Sequence, residues 1–207
     1  MRRFSAIGGA RLKSCVTFVI GGAKSGKSAF AESLAAENGP VVYIATAEAG
    51  DAEMSSRIAA HRSRRPVEWG VWEGDVLSLP GGIKKIASEW DTLLFDSLTM
   101  YLSAAMLDLP EGANEDGEPR PAAAKKILDG VRDIFAGFRE AAIESNKRLI
   151  VVSDEVGCGI VPPYPMGRRF RDLLGEANQI AASIADEAVL VTAGLPLWLK
   201  TRATEKS

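Results

Sequence analysis

The chain has 207 residues, a formal net charge of −2 and an apolar content of 46%. This length suits one α/β domain with a buried core and is short for two domains. The charge provides no basic surplus for binding nucleic acid, and no apolar run approaches the ~20 residues that a membrane span needs.

Residues 1–15 are basic but contain no apolar core segment. We therefore predict a flexible N-terminal extension and not a secretory signal. The two cysteines, Cys15 and Cys158, are too few for a disulfide framework. Because reduced thiols are the default in the cytosol, a cytoplasmic location is expected.

The first predicted strand, Val16–Ile20, runs into the glycine-rich turn Gly21–Ser28, and a helix is predicted over Ala29–Ala36. The turn reads GGAKSGKS and matches the phosphate-loop pattern G-x-x-x-x-G-K-[ST]. Its glycines let backbone N–H groups converge on phosphate oxygens, and the following helix adds the positive end of its dipole. Lys27 is expected to reach the β- and γ-phosphates, and Ser28 to hold Mg²⁺. The nucleotide-binding residues predicted here are Gly21, Gly22, Ala23, Lys24, Ser25, Gly26, Lys27 and Ser28.

The second predicted strand, Val41–Ala45, is apolar throughout, which is typical of a parallel strand that is covered on both faces. It ends at Thr46 and Ala47, at the carboxyl edge where open α/β sheets bind ligands. A helix is predicted over Asp51–Arg65 and a short strand over Val67–Glu73.

Strands and helices continue to alternate along the rest of the chain. This order predicts one mainly parallel sheet with helices on both faces, in a single domain over residues 16–200. A Pro/Gly-rich stretch at 108–121 is predicted to be a flexible surface loop of that domain. The other predicted elements are helices over 83–89, 97–106, 122–146 and 170–186, and strands over 91–96, 149–153 and 188–193.

Asp96 ends the predicted strand 91–96. An acid at the end of a strand that neighbours the phosphate loop can hold the Mg²⁺ that bridges the β- and γ-phosphates. The alternative is an acidic cap for the helix that follows. We favour the metal role because a phosphate loop is already present.

His61 is the only histidine, and helical spacing places it on one face with Arg57 and Arg65. Arg62, Arg64 and Arg65 follow it directly. Cationic neighbours bind phosphate and lower the pKa of a histidine, and a neutral imidazole facing a phosphoryl group can act as a nucleophile. An exposed helix residue without chemistry is the alternative, and the sequence pattern leaves both open.

Glu155 follows a buried strand and precedes a Gly-x-Gly-x-x-Pro turn. It could orient an attacking hydroxyl or water, or it could be a salt-bridge or turn acid. The pattern leaves these two interpretations open as well.

Taken together, the motifs resemble the family of bifunctional adenosylcobinamide kinase / adenosylcobinamide-phosphate guanylyltransferase enzymes of cobalamin biosynthesis. The resemblance covers about Val16 to Lys200, nearly the whole chain. The motifs that carry it are Gly21–Ser28, Tyr43–Thr46, Glu53-Met54 with Arg57-Ile58, His61-Arg62 with Arg65-Pro66, Glu155–Gly157 with Gly159–Pro162, and Phe170–Asp172 with Asn178-Gln179.

The resemblance implies two reactions. The first transfers the γ-phosphate of ATP or GTP to the aminopropanol hydroxyl of adenosylcobinamide, and the second transfers GMP from GTP through a covalent guanylyl-histidine, which by position is His61. It also implies Mg²⁺, a RecA-like P-loop fold, a small-molecule corrinoid substrate and a homotrimer. Beyond the phosphate loop, the nucleotide contacts that it implies are Ala45, Thr46, Ala47, Arg62, Ser63, Arg64, Arg65, Glu73 and Asp96.

The chain departs from the usual family pattern at Lys24, Ala47, Asp154 and Cys158, where arginine, serine, a neutral residue such as asparagine, and methionine are common. None of these changes removes a group with a predicted catalytic role. Two alternative functions stay open at this point: another P-loop kinase that acts on a small molecule, and a nucleotide-dependent switch module without catalysis.

Overall fold

The computed structural model describes residues 14–46, 65–108, 121–143 and 145–202. Within them, a short 3-10 turn over Val76–Ser78 precedes the second helix. The strands are β1 Cys15–Gly21, β2 Val41–Ala45, β3 Gly70–Trp72, β4 Thr92–Asp96, β5 Arg148–Asp154, β6 Glu187–Thr192 and β7 Leu195–Lys200, and the helices are α1 Lys27–Ala35, α2 Leu79–Glu89, α3 Leu98–Leu107, α4 Pro121–Ala141 and α5 Pro165–Ile184.

The seven strands form one sheet in the order β3-β2-β4-β5-β1-β6-β7. The first six pair in parallel, and β7 returns antiparallel to β6. The prediction of a mainly parallel sheet is confirmed. Parallel strands need crossover connections, and the described helices lie in such connections on both sides of the sheet.

One face of the sheet is covered by α1. Its small residues Ala31 and Ala35 are fully buried and belong to the same apolar cluster as Val19, Ile150 and Val189 of the strands. Alternate residues along a strand point to opposite faces. The neighbours of these strand residues therefore face the other layer, where α2, α3, α4 and α5 pack.

The other layer centres on α4, which packs against α2. Apolar residues at helical spacing form its buried stripe, including Ile127, Val131, Ile134 and Phe138. Such a stripe is the side of an amphipathic helix that faces the protein core. Truncating a fully buried ring such as that of Phe138 to alanine typically costs about 3–5 kcal/mol.

Several boundaries differ from the expected ones. Of the strand predicted over 67–73, only Gly70–Trp72 forms a strand in the structure. Val67 is fully exposed beside Pro66. Helix α5 begins at Pro165, not at Phe170, because proline is well suited to the first turn of a helix. Strand β7 was not predicted. All six of its residues are exposed, so it has no buried apolar pattern.

The N-terminal residues 1–13, most of the predicted helix 51–65 and most of the predicted loop 108–121 lie outside the described residues. Among the helices that are described, none is both long and apolar enough to cross a membrane.

Candidate nucleotide-binding site

The phosphate loop joins the end of β1 to the start of α1. Gly26 precedes the helix with φ 93°, a left-handed conformation that favours glycine. The Ser25 N–H donates to the Gly22 carbonyl over 3.2 Å, which closes the turn. A Cβ at Gly21 would collide with the carbonyl of Val191 on β6. The loop is therefore packed tightly enough that these positions need glycine.

The turn between β6 and β7 supports the loop from the side. The Gly194 N–H donates to the Ser25 carbonyl over 2.8 Å, and a Cβ at Gly26 would lie 3.2 Å from the Gly194 Cα. The unpredicted strand β7 thus completes a hairpin that rests on the phosphate loop.

Lys27, the first residue of α1, folds back over the loop. Its ammonium Nζ lies 3.3 Å from the Gly22 carbonyl and 2.5 Å from Asp154 Oδ1. The Lys27 side chain is 12% exposed and that of Asp154 is 28% exposed. The partly buried carboxylate of Asp154 therefore keeps the positively charged ammonium of Lys27 at the loop.

Asp154 reaches the loop because β5 lies directly beside β1, with Asp154 in register with Gly21. Asp96, which was predicted on a strand neighbouring the loop, lies one strand further away. It ends β4, which pairs with β5 and not with β1, and it is in register with Val152. The expected adjacency of the Asp96 strand is therefore wrong. The predicted role of Asp96 with the metal stays a prediction.

Asp96 accepts a hydrogen bond of 3.0 Å from the hydroxyl of Tyr43 on β2. Burial, followed by the negative charge of Asp96, raises the pKa of Tyr43, so its hydroxyl stays protonated and keeps donating. The guanidinium of Arg65 lies 3.2 Å from the centroid of the same ring. Tyr43 therefore links two predicted contact residues, Asp96 and Arg65, although no role was predicted for Tyr43 itself.

Thr46 follows β2 and is buried. Its Oγ1 donates to the Ser97 carbonyl over 3.0 Å and accepts from the Ser97 N–H over 2.6 Å. Ala45 stands in register with Asp96. The ends of β2 and β4 are therefore joined at the carboxyl edge, and the Thr46 hydroxyl is used in that junction.

The carboxylate of Glu155 accepts hydrogen bonds from the turn that follows it in the chain. The two oxygens accept the N–H groups of Gly157 and Cys158, each over 3.0 Å. Its own N–H donates to the Gly21 carbonyl over 3.0 Å, so the turn begins at the phosphate loop. The same carboxylate raises the pKa of the exposed Cys158 thiol. In this structure Glu155 is arranged as a turn acid, and its catalytic role stays a prediction.

The remaining predicted contacts lie further away or outside the described residues. Glu73 follows β3, which three strands separate from β1, a distance of roughly 19 Å at ~4.8 Å per strand. The predicted residues outside the described part of the chain are Ala47, His61, Arg62, Ser63 and Arg64.

A phosphate group fits the loop. The first N–H groups of a helix have no partner within the helix, and Lys27 supplies positive charge beside them. The buried hydroxyl of Ser25 has no hydrogen-bond partner among the described residues. Ser28 is the second residue of α1, and Mg²⁺ prefers oxygen donors together with substrate phosphates, so a magnesium ion also fits the donors present. The part of the chain that is described holds no cluster of three or more metal-ligating side chains.

The sheet order, the phosphate loop and its lysine define a P-loop NTPase fold. A solved structure of an ATPase from the type III secretion system of pathogenic bacteria shares this fold with a TM-score of 0.54. It is 16% identical in sequence, and the match covers 86% of this chain and 51% of that chain. This likeness concerns the fold alone.

The model of the cobinamide kinase / cobinamide phosphate guanyltransferase family matches residues 17–199, and the chain belongs to this family. A bifunctional adenosylcobalamin biosynthesis protein, CobP of Pseudomonas aeruginosa, is 40% identical over 184 residues, which cover 88% of this chain and 95% of the relative. The proteins named CobU of Salmonella typhimurium and Escherichia coli are 34% and 31% identical, over 88% of this chain and 98% of each relative.

Proposed function

We propose that the protein is a bifunctional enzyme of cobalamin biosynthesis that phosphorylates adenosylcobinamide and then guanylylates the product. One observation carries this proposal. The Lys27 ammonium is folded over a well-formed phosphate loop, in a chain that matches the family model over residues 17–199. The loop is therefore the proposed site for the triphosphate that both reactions consume.

In the kinase step, the aminopropanol hydroxyl oxygen attacks the γ-phosphorus of ATP or GTP. The bond from that phosphorus to the β,γ-bridging oxygen breaks, the nucleoside diphosphate leaves, and the hydroxyl proton passes to water. Lys27 and the loop N–H groups stabilise the charge on the transferring phosphoryl group. Mg²⁺ held by Ser28 and Asp96 would neutralise further charge on the phosphates. Glu155 is the proposed residue that orients the hydroxyl.

In the second step, a ring nitrogen of His61 attacks the α-phosphorus of GTP, and pyrophosphate leaves. A phosphate oxygen of adenosylcobinamide phosphate then attacks the same phosphorus, which restores the histidine and forms adenosyl-GDP-cobinamide. A histidine phosphoramidate is reactive enough to pass GMP on, so one difficult transfer becomes two easier ones. Arg62 and Arg64 are proposed to hold the phosphates beside His61.

The proposal includes nucleotide contacts outside the loop, namely Ala45, Thr46, Ala47, Ser63, Arg65 and Glu73. A trimeric assembly and a cytoplasmic location also belong to it. Support for the contacts is strongest at the carboxyl edge, where Tyr43 contacts both Asp96 and Arg65 and where Thr46 is hydrogen-bonded to Ser97.

The test uses Mg²⁺ with GTP that is labelled on either the α- or the γ-phosphate. With wild type, α-label is expected on the denatured protein as an acid-labile, alkali-stable adduct. The γ-label is expected on adenosylcobinamide. His61→Ala should lose the α-label and keep the γ-transfer, because the two steps use different nucleophiles. Lys27→Ala is the matched control and should lose both.

An α-label that persists on His61→Ala would remove His61 as the nucleophile. Wild type that binds GTP but transfers no γ-phosphate to adenosylcobinamide would contradict the kinase assignment.

A further inference from the structure

The ion pair between Lys27 and Asp154 lies at the place where a triphosphate has to bind. Lys27 Nζ is 2.5 Å from Asp154 Oδ1, and both side chains are mostly buried. Hydrogen bonds between charged groups are short and are stronger than those between neutral groups. A phosphate that approaches the lysine therefore meets a carboxylate already bound to it.

Asp154 is held firmly in this position by its backbone. Its N–H donates to Thr99 Oγ1 over 2.8 Å, and its carbonyl accepts from Asn178 Nδ2 over 3.0 Å. Ser153, which is fully buried, donates its hydroxyl to Asn178 Oδ1 over 2.6 Å. Strand β5 therefore presents the Asp154 carboxylate to the loop from a rigid support.

We propose that Asp154 is a positioning residue, which holds the ammonium of Lys27 over the phosphate loop. A triphosphate binds by competing with the Asp154 carboxylate for that ammonium. Asp154 thereby keeps the lysine folded over the loop, and its negative charge weakens the affinity for the nucleotide.

The competing interpretation is that Asp154 binds Mg²⁺, since a carboxylate is a natural ligand for this ion. The two roles predict opposite effects when the charge is removed. Without the carboxylate, a competitor for Lys27 and a source of repulsion are both lost, and the nucleotide binds more tightly. A lost metal ligand would instead weaken binding, and only when Mg²⁺ is present.

The test measures the Kd of GTP by calorimetry, once with Mg²⁺ and once with EDTA, for wild type and Asp154→Asn, both carrying His61→Ala so that the proposed guanylylation does not consume the GTP. We expect Asp154→Asn to bind GTP roughly tenfold more tightly in both conditions, from the size of one charge-assisted hydrogen bond at a partly exposed site. A gain in affinity is diagnostic because structural damage lowers affinity. Asp154→Ser, which also removes the carboxylate, is the second variant if Asp154→Asn does not fold.

Glu140→Gln is the matched control. It removes the same charge from an exposed ion pair in which Glu140 Oε1 lies 2.6 Å from Lys84 Nζ, on α4 and α2. Its Kd should equal that of wild type.

The inference rests on the proposed use of the loop for nucleotides, and its outcomes are distinguishable. Equal Kd values for wild type and Asp154→Asn, or weaker binding only with Mg²⁺, would overturn the positioning role and leave the proposed function standing. A wild-type chain that binds neither GTP nor ATP would overturn both.

Discussion

The guanidinium of Arg65 stacks on the ring of Tyr43, 3.2 Å from its centroid. The Tyr43 hydroxyl at the other end of the ring donates to Asp96. Arg65 is the first described residue after the segment 47–64. The ring therefore fixes the position at which that segment, with its proposed nucleophile His61, rejoins the described fold.

Two substitutions of Tyr43 should separate the contribution of its hydrogen bond to Asp96 from that of its ring, on which Arg65 stacks. Tyr43→Phe removes the hydrogen bond to Asp96 and keeps the stacking on Arg65, so the free energy of unfolding should fall by about 1 kcal/mol. Tyr43→Ala also removes the buried ring, at a cost of about 3–5 kcal/mol. Urea unfolding measures both values, and similar losses for the two variants would show that the ring itself contributes little.

Thr46 offers an isosteric test of the junction between β2 and β4. Thr46→Val keeps the shape but leaves the buried N–H and carbonyl of Ser97 without their partner, which should cost about 1–3 kcal/mol. Thr46→Ser keeps both hydrogen bonds and loses one methyl group, worth about 0.8 kcal/mol. Thermal unfolding should rank Thr46→Val below Thr46→Ser, and the reverse order would argue against a role for the hydroxyl.

Gly26 should not tolerate a side chain. Alanine in its left-handed conformation costs roughly 1–2 kcal/mol, and its Cβ would press on Gly194. Gly26→Ala should therefore lower both the free energy of unfolding and the affinity for nucleotide. The matched control is Gly175→Ala in the middle of α5, where a Cβ meets open space.

Because alanine favours helix more than glycine does, Gly175→Ala should stabilise the protein by about 1 kcal/mol. Denaturant unfolding of both variants checks the contrast. Equal effects of the two substitutions would contradict the conformational argument for Gly26.

Cys158 reports on the conformation of Glu155. Its thiol is exposed, and the Glu155 carboxylate raises its pKa. The thiolate is the reactive form, so a raised pKa leaves less thiolate at any pH below that value and slows alkylation. Glu155→Gln should lower the Cys158 pKa towards its ordinary value and speed alkylation at pH 8.

Cys15 serves as the internal control for that experiment, because burial, followed by the charge of Glu187, raises its pKa to about 11. It should react only after unfolding. An unchanged rate for Cys158 in Glu155→Gln would mean that the Glu155 carboxylate does not lie against the turn in solution.

The sequence predicted the sheet class well because the central strands are short apolar runs bounded by turn signals, as at Val41–Ala45. The phosphate loop was equally visible, since its chemistry requires a fixed local pattern. Strand β7 was not predicted from the sequence because Leu195–Lys200 is an exposed edge strand that contains Pro196. Its stability comes from pairing with β6, and no local periodicity encodes that pairing.

Strand order is the second feature that local patterns do not carry. Asp96 and Asp154 both end apolar strands, and only the insertion of β5 between β1 and β4 places Asp154 beside Lys27. Asp154 and Glu155 both directly follow a predicted strand, and only the identity of the strand beside β1 distinguishes Asp154 as the partner of Lys27.

Both neighbours of β1 in the sheet come from the last third of the sequence, as does the Gly194 amide that bonds to the phosphate loop. During synthesis, the loop leaves the ribosome long before β5, β6 and the hairpin turn that support it. Such pairings, distant in sequence, form late and slowly. The nascent chain therefore cannot complete its phosphate site until Gly194 has been made, so nucleotide binding has to follow the synthesis of β5, β6 and the hairpin turn.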